Sequence, residues 1–358
     1  MTGIPDAAFG HALNLLTPAN PVLLQRLLIQ YQNFRVAYFT VAGRTKKGLD
    51  VPKELAELDK QKIKLLSCQD KKYPACLRDL PDSPALLYYR GAMSATDELC
   101  LAVVGTRRAS EYGRQITPHL VQPVSESGIT IVSGLAYGID SFAHSSALEC
   151  GGRTIAALPG GLDDASIYPP NHLGLARKIL TGGGALVSEY APGVLARKHH
   201  FLARNRIIAG LAAGTLIVEC DIKSGALITA RHALDYNRSV YAAPGSIIST
   251  QSRGTNALIK QGAQLVVSAD DILDDLRVPM ARRAGNRLAA GASAAGTSLS
   301  PAENKILAEL KNAPRQRDEI IKNTGLAADE VMASLTFLEI KGIIRQLGTG
   351  RYTLIKHE

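Results

Sequence analysis

The sequence predicts an α/β protein with a doubly wound, mainly parallel sheet, preceded by a helical module and followed by a winged-helix domain. Three observations support this prediction. Apolar runs of strand length alternate with helical stretches over residues 97–278, apolar residues near the N-terminus recur at helical spacing, and three helical stretches with two strand-like runs close the chain. A length of 358 residues allows two to three domains, each with its own core.

Residues 1–65 are predicted to form the helical module. Apolar residues recur at helical spacing over 9–31, interrupted by Pro18 and Pro21, and a further helix is expected over 52–60. A short basic module of this kind could contact nucleic acid or protein, or could only cover the main domain. The sequence leaves both interpretations open.

The pattern turns irregular from Ile63, and residues 66–96 are predicted to connect the module to the sheet. Three prolines between positions 74 and 84 disfavour regular structure in this stretch. A short strand is expected at its end, over 85–89.

Residues 97–278 are predicted to form an extended Rossmann-like domain. Strand-like apolar runs are expected at Leu99–Val104, Ile129–Val132, Thr154–Leu158, Ala185–Ser188, Thr215–Glu219, Ser239–Ala243 and Gln264–Val267. Helices between them are expected at Tyr112–Ser125, Ile139–Glu149, His172–Leu180, Arg206–Ala213, Gly225–Tyr236 and Asn256–Gln261. Continuous Val/Ile/Leu runs joined by helices are typical of parallel strands buried on both faces. Ligands of such sheets bind in the loops beyond the carboxyl ends of the strands.

The C-terminal part of the chain is predicted to be a flexible basic linker, residues 279–299, and a winged-helix domain, residues 300–358. Helices are expected near 301–312, 316–323 and 328–341, and strands over 343–347 and 351–355. The third helix of such a domain often enters a DNA groove. Here that helix carries more acidic than basic residues, so we expect an accessory module for protein contacts or weak DNA binding.

The net charge of +9 says little by itself, because residues 95–278 carry 16 basic and 16 acidic residues. Within that segment arginines lie beside glycines, as an anion-binding face would require. The five cysteines include no C-x-x-C pair, which favours a reducing compartment. No apolar run approaches the length of about 20 residues that spans a membrane, and the N-terminus lacks a signal-peptide pattern. We expect a cytoplasmic protein.

The loops after the predicted strands contain glycines at five places. They are Gly105–Ser110, Ser133–Asp140, Pro159–Asp163, Asp221–Leu227 and Pro244–Ser246. Glycine allows close backbone approach to a ligand, and helix starts supply free N–H donors. Five such loops on one sheet edge predict a phosphate-rich ligand. The candidate contacts in them are Arg107, Gly134, Gly160, Gly161, Ser224 and Gly225.

In the segment Phe201–Gly210, Arg204 and Asn205 directly precede a predicted helix, and Arg206 is its first residue. Arginines in the first turn oppose the helix macrodipole. A bound anion would offset this placement, with guanidinium groups and backbone N–H groups holding it together. Pairing of one arginine with a nearby carboxylate, the other being solvated, remains the alternative.

Catalytic and cofactor patterns are weak in this sequence. The first glycine loop lacks the second and third glycines of G-x-G-x-x-G, and no G-x-x-x-x-G-K-[ST] occurs, which argues against dinucleotides and ATP. Asp140 and His144 could be a base and its orienting group, or metal ligands, but a helix cap or solvated face explains them better. Ser133 and Ser224 do not lie in G-x-S-x-G. We expect no catalytic residue, no metal and no cofactor.

Several motifs resemble those of the bacterial DNA-processing protein A family (DprA, also called Smf). They are V-V-G-T-R-R at 103–108, S-G-L-A-Y-G-I-D at 133–140, A-L-P-G-G-L-D at 157–163, F-L-A-R-N-R-I-I-A-G at 201–210, S-G-A-L-I-T-A-R-H-A at 224–233, A-P-G-S at 243–246 and G-T-N-A-L-I-K-Q-G-A at 254–263. The resemblance spans the whole doubly wound domain in order.

This resemblance implies a non-catalytic protein that binds single-stranded DNA as a cooperative dimer and protects it during natural transformation. It also implies loading of the RecA recombinase, possible contact with single-strand-binding protein, and an N-terminal module of the SAM or helix-hairpin type. The DNA-contacting positions of the family correspond here to Arg107, Lys198, Phe201, Arg204, Asn205 and Arg206. An aromatic side chain among cations is also what stacking on a base beside a phosphate requires.

Two other functions compete with this interpretation. The P-G-G turn resembles phosphoribohydrolases of the lysine-decarboxylase-like family, which continue as P-G-G-x-G-T-x-x-E. Here Leu162-Asp163-Asp164 follows instead, without the Gly-Thr and the Glu. A regulator that binds only duplex DNA through the winged helix is the second alternative.

Overall fold

The computed structural model describes residues 3–17, 20–45, 48–93, 97, 99–279, 301–310, 314–340, 343–347 and 351–354. These residues divide between two compact units, residues 1–290 and residues 291–358. The predicted linker lies outside the described residues except for Pro279. Within the described ranges, every helix is too short or too polar to cross a bilayer.

The first unit contains a nine-stranded sheet. Its strands are β1 (Ile63–Ser67), β2 (Leu86–Gly91), β3 (Cys100–Val104), β4 (Thr130–Ser133), β5 (Thr154–Ala157), β6 (Ala185–Ser188), β7 (Gly214–Ile217), β8 (Ser239–Ala242) and β9 (Gln264–Leu265). They lie in the order β1-β2-β6-β5-β4-β3-β7-β8-β9. Strands β3 to β9 are parallel, and β2 pairs antiparallel with both β6 and β1. The predicted doubly wound, mainly parallel sheet is confirmed.

The helices of this unit precede the sheet, connect its strands or follow its last strand. They are α1 (Asp6–Leu16), α2 (Pro21–Tyr31), α3 (Phe34–Thr45), α4 (Val51–Lys60), α5 (Ala75–Arg78), α6 (Glu111–Glu126), α7 (Ile139–Glu149), α8 (Leu173–Thr181), α9 (Lys198–Leu211), α10 (Ala226–Asp235), α11 (Arg253–Lys260) and α12 (Ala269–Asp275). Short 3₁₀ turns precede α8 and α11.

Both faces of the central strands are covered, which explains their continuous apolar runs. In β3, Leu101 and Val103 pack in a core with α6 and α7. The alternate residues Ala102 and Val104 pack on the other face in a core with α9 and α10. Because successive side chains of a strand point to opposite faces of the sheet, β3 contributes to two separate cores.

The N-terminal helices extend the same unit and are joined to the edge of the sheet. His11 Nδ1 lies 2.9 Å from the Tyr88 hydroxyl, and the Asn14 amide donates to that hydroxyl and to the Glu189 carbonyl. Residues 63–67, where the sequence indicated irregular structure, form β1 in register with β2. The prediction of an irregular stretch from Ile63 is wrong at this point, because a five-residue edge strand gives little periodicity.

The second unit has the predicted three helices and strand hairpin. Its elements are α13 (Pro301–Leu310), β10 (Arg315–Gln316), α14 (Arg317–Thr324), α15 (Ala328–Ile340), β11 (Ile344–Leu347) and β12 (Arg351–Leu354). The three strands are antiparallel in the order β10-β12-β11. Ile306, Ile320, Leu335 and Leu338 form the centre of its small apolar core.

Candidate nucleic-acid interface

The strand order of the large sheet reverses between β3 and β7. The helix after β3 packs on one face and the helix after β7 on the other, so the two loops separate and leave a crevice. A cleft of about 750 Å³ lies there, with the N-terminal half of α9 as its third wall. Its charged and aromatic lining residues are Arg107, Arg108, Asp140, Tyr168, Lys198, Phe201, Arg204, Asp221 and Lys223.

Phe201 stands at the mouth of this cleft among cations and a second ring. The Arg107 guanidinium carbon lies 4.7 Å from the Phe201 ring centroid, and that of Arg204 lies 5.9 Å from it. The Tyr168 ring meets Phe201 edge-on, with centroids 5.4 Å apart and an interplanar angle of 82°. Arg107 is exposed, so its guanidinium group can hold an anion while it covers the ring.

Arg204 forms part of the cleft floor and is only 4% exposed. Its Nη1 donates to the Gly134 carbonyl at 2.7 Å and to the Ala157 carbonyl at 2.5 Å. A Cβ atom at Gly134 would lie 2.4 Å from that nitrogen, so only glycine leaves room for the guanidinium. Burial lowers the pKa of Arg204 to about 10, with the Asp140 charge acting in the opposite direction. The side chain therefore stays cationic at neutral pH.

Asp140 supplies a carboxyl group to the same floor. Its Oδ2 accepts from the backbone N–H groups of Gly134 at 3.1 Å and Ala136 at 3.4 Å. Burial raises the pKa of this carboxyl, while the nearby Arg204 charge and the two backbone donors act against that rise. The floor thus combines the Arg204 guanidinium with a carboxyl group.

Asn205, Ser224 and Gly225 join α9 to the loop after β7. The Asn205 amide donates to the Gly225 carbonyl at 3.3 Å and its oxygen accepts from Arg204 Nε. The Ser224 hydroxyl accepts from the Ala226 N–H at the start of α10. All three line the cleft, and Gly225 is exposed in it.

Two family models match the chain. The model described as DNA recombination-mediator protein A matches residues 64–277, and the model described as DprA winged helix domain matches residues 290–350. The chain belongs to the DprA family. The predicted family and the C-terminal winged helix are thereby confirmed.

Individual members of the DprA family are similar over most of the chain. Protein Smf of Synechocystis is 36% identical over 328 residues, covering 83% of this chain and 82% of that protein. The solved structure of DprA from Streptococcus pneumoniae is 35% identical with a TM-score of 0.57, covering 74% of this chain and 86% of that one. DNA processing protein A of Helicobacter pylori is 32% identical with a TM-score of 0.53, covering 60% of this chain and 95% of that one. Its structure is described as showing a single-stranded DNA binding mode.

Arg206, which the resemblance placed among DNA contacts, points away from the cleft. Its Nη2 lies 2.5 Å from the Glu189 carboxylate and its Nη1 donates to the Asp82 carbonyl at 2.5 Å. Burial lowers the pKa of Arg206, but the Glu189 and Asp82 charges outweigh it and raise the pKa above its ordinary value. The alternative weighed from the sequence, an arginine paired with a carboxylate, describes Arg206.

The position of the arginines in α9 also corrects the helix prediction. Helix α9 begins at Lys198, not at Arg206, so Arg204 and Arg206 lie in its second and third turns. The macrodipole argument for an anion therefore does not apply to them. Lys198 is the cation of the first turn; it is exposed and lines the cleft.

Gly160 and Gly161 do not open into the cleft. Both are buried, and a Cβ atom at either would lie 2.8 Å from a carbonyl oxygen, that of Val194 or of Ala191 respectively. The Gly161 N–H donates to the Val194 carbonyl. These glycines allow two segments to pack closely, a role that turn composition alone does not distinguish from ligand binding.

Asp140 and His144, which their spacing suggested as a base with its orienting group or as metal ligands, lie in different surroundings. Asp140 lines the cleft, whereas His144 is fully buried with Nδ1 2.6 Å from the Thr154 hydroxyl. Burial lowers the pKa of His144 to about 3, so it is neutral at neutral pH. In the part of the chain that the structure describes, no group of His, Cys, Asp and Glu side chains could hold a metal ion.

Two other cavities offer poorer chemistry for an anion. One of about 630 Å³ lies between the N-terminal helices and the sheet and contains four carboxylates, from Glu54, Glu57, Asp163 and Asp164. Another of about 480 Å³, beside the predicted loop Pro244–Ser246, is lined mainly by serines and by Glu219. The cleft with Arg107 is the better candidate.

Tyr168 and Lys223 line the cleft and were missed by the sequence interpretation. Lys223 lies inside a glycine-containing loop at a strand end, so a search for cations in those loops would have found it. Tyr168 comes five residues after the P-G-G-L-D motif, and nothing in its sequence neighbourhood indicates that its ring reaches Phe201.

Proposed function

We propose that the cleft binds single-stranded DNA and that the protein acts without catalysis in natural transformation and homologous recombination. The observation that carries this proposal is the exposed Arg107 guanidinium 4.7 Å from the Phe201 ring at the reversal of strand order. A guanidinium that lies over an aromatic ring offers charge for a phosphate and flat faces on which the neighbouring base can stack. The single-stranded DNA binding mode described for the Helicobacter pylori relative supports the same ligand.

The rim and the floor of the cleft differ in charge. Arg107, Lys198 and Lys223 are exposed at the rim, where phosphates can reach them. Three neutralised phosphates give a slope of about −2 for log affinity against log salt concentration. Only a few phosphates per protomer are engaged, so tight binding requires a homodimer or cooperative binding along the strand.

We further propose that the protein protects incoming DNA and helps the RecA recombinase to load on it. The description of the matched family as a recombination mediator supports this role. Single-strand-binding protein is a further partner that fits it, since both proteins would meet on the same strand. These partners follow from the family and act in the cytoplasm, where DNA and RecA are.

Binding without turnover is favoured by the state of the carboxylates after the P-G-G turn. Asp163 accepts from the Gly193 N–H at 2.7 Å and from the Ser166 hydroxyl at 2.9 Å. Asp164 pairs with Arg90 at 2.6 Å and with Arg177 at 2.8 Å. Asp163 therefore joins its loop to the turn at Gly193, and Asp164 joins the loop to β2 and α8. Neither carboxylate is free to act as the acid of a phosphoribohydrolase. Release of free base from nucleoside monophosphates would contradict this part of the proposal.

The decisive experiment measures the affinity of wild type and Arg107→Ala for a fluorescent oligo-dT by anisotropy over a range of salt concentrations. We expect a loss of about tenfold and a salt slope shallower by about 0.7, because one phosphate contact disappears. Arg114→Ala is the matched control: Arg114 is also exposed and stacks on a phenylalanine, Phe142, at 5.7 Å, but lies outside the cleft. Equal losses in both variants, or none in either, would refute the cleft as the binding site.

A further inference from the structure

We infer that Asp140 and Arg204 read the hydrogen-bonding edge of one base and favour bases with an exocyclic amino group over thymine. This inference rests on the proposed binding of single-stranded DNA in the cleft and adds a specificity to it. It starts from the unequal use of the polar atoms on the cleft floor.

Asp140 has one oxygen engaged and one available. Both of its hydrogen bonds go to Oδ2, from Gly134 and Ala136. Among the described residues Oδ1 accepts no hydrogen bond, yet it is not one of the fully enclosed atoms that lack a partner, so it keeps access to the cleft. Asp140 as a whole is 6% exposed, so the access of Oδ1 to the cleft is narrow.

Arg204 shows the same division. Nε and Nη1 donate to Asn205, Gly134 and Ala157. Within the described part of the chain Nη2 makes no hydrogen bond and is likewise not an enclosed orphan. The floor therefore presents one acceptor and one donor, both on side chains fixed by backbone contacts. Fixed, desolvated partners discriminate between ligands more strongly than mobile surface groups.

The floor is better suited to a base than to a phosphate. On the floor the Asp140 carboxyl oxygens, which repel phosphate oxygens, stand with the Arg204 guanidinium, whereas the exposed rim is cationic. A phosphate is held at the rim, beside Arg107. A base that stacks on the pair formed by Arg107 and Phe201 then extends its polar edge towards the floor.

Cytosine and thymine differ in how this edge meets a carboxylate. Cytosine offers its N4–H donor to Asp140 Oδ1 and its ring nitrogen N3 to Arg204 Nη2. Thymine can offer only its N3–H to Asp140. The carbonyl oxygens O2 and O4 of thymine flank that donor, and the Asp140 carboxylate repels them. The floor therefore selects the amino-bearing pyrimidine.

The test compares the affinities of unstructured (dC)12 and (dT)12 at pH 8 by anisotropy. We expect wild type to bind (dC)12 at least about fivefold more tightly. In Asp140→Asn the amide oxygen keeps the two backbone donors and turns its NH₂ towards the cleft, where it suits the O4 acceptor of thymine. The ratio of dissociation constants, (dT)12 over (dC)12, should then fall at least about fivefold.

Asp221→Asn is the matched control, because it removes the same charge from an exposed rim position of the same cleft. We expect it to change both affinities equally and to leave the ratio unchanged. A ratio within twofold of unity in wild type, or the same ratio in wild type and Asp140→Asn, overturns the inference.

A second measurement uses only wild type, so it tests the inference even if Asp140→Asn fails to fold. Wild type should bind an oligonucleotide of N4,N4-dimethylcytosine at least about fivefold more weakly than (dC)12, since the methyl groups remove both amino donors; equal binding overturns the inference. Failure of the proposed function looks different: Arg107→Ala would then bind both homopolymers as wild type does.

Discussion

Arg204 and Arg206 stand two residues apart in α9 and point to opposite surroundings. Arg204 lies on the cleft floor, while Arg206 is held between Glu189 and Asp82 on the other side of the helix. Two residues along a helix turn the side chain by about 200°, so both arginines could never face one ligand. The motif predicts that both residues matter, but only the packing around α9 separates a binding role from a positioning role.

Arg206→Ala should destabilise the protein by about 3 kcal/mol, because Glu189 is left buried without its cation. Thermal and urea unfolding measure this loss. The double variant Arg206→Met/Glu189→Gln should recover much of it, since both charges are then removed.

The same variant separates positioning from DNA contact. At temperatures where Arg206→Ala remains folded, its salt slope for oligo-dT should equal that of wild type, because Arg206 does not line the cleft. A slope shallower by about 0.7 would instead make Arg206 a phosphate contact.

The site residues that the motifs identified share a simple geometry. Arg107, Phe201 and Ser224 lie in strand-end loops or in the helix beside them, and period and order along the chain suffice to place them on one edge. Gly160 lies on the same edge but packs against the segment that precedes α9. Whether a loop faces a ligand or another loop depends on the path of distant segments, which a local pattern does not contain.

At the scale of elements, the loops after β3 and β4 are locked together by Gly138. This residue has φ of +75°, and a Cβ atom on it would lie 2.3 Å from the Thr106 carbonyl oxygen and 2.9 Å from the Arg107 carbonyl carbon. The Ile139 N–H donates to the same Thr106 carbonyl. The start of α7 therefore sets the position of the loop that carries Arg107.

Gly138→Ala should reduce oligo-dT affinity by about tenfold, since the added methyl group must displace the backbone of the Arg107 loop. Gly151→Ala is the matched control: Gly151 also has positive φ, at +70°, but a Cβ there meets nothing within 4 Å. It should cost about 1–2 kcal/mol of stability from backbone strain and leave DNA affinity unchanged. Anisotropy titrations and thermal melts of the two variants provide the comparison, and equal affinities would contradict the coupling.

At the scale of the whole molecule, the sheet was predictable where strands are buried on both faces. Leu101–Val104 feeds two cores, and such a continuous apolar run is readable from the sequence. At the edge, the strand expected over 85–89 is present as β2, but the sequence indicated neither β1 nor the antiparallel pairing. The N-terminal helices contact this edge through His11 and Asn14. These contacts join residues more than 70 positions apart, at a spacing no periodicity encodes.

Among the buried histidines of the first unit, His11 and His144 contribute most to the dependence of its stability on pH. Burial lowers the pKa of His11 to about 4 and that of His144 to about 3, against 6.5 for a histidine in the unfolded chain. Between these values the unfolded state binds more protons than the folded state. The contribution of these two histidines to stability is therefore complete above pH 6.5 and is lost as the pH falls towards their folded pKa values.

The expected loss between pH 7 and pH 5 is about 2 kcal/mol for each histidine, since 1.5 pKa units at about 1.4 kcal/mol apply to both. Urea unfolding at the two pH values measures it. His144→Gln should lower stability at pH 7 and reduce the loss between the two pH values by about 2 kcal/mol, because the contribution of this buried imidazole is gone. His119→Gln removes an exposed imidazole from α6 and should leave the pH dependence as in wild type. If His144→Gln and wild type lost the same free energy between pH 7 and pH 5, the acid sensitivity would have to originate outside the buried imidazole of α7.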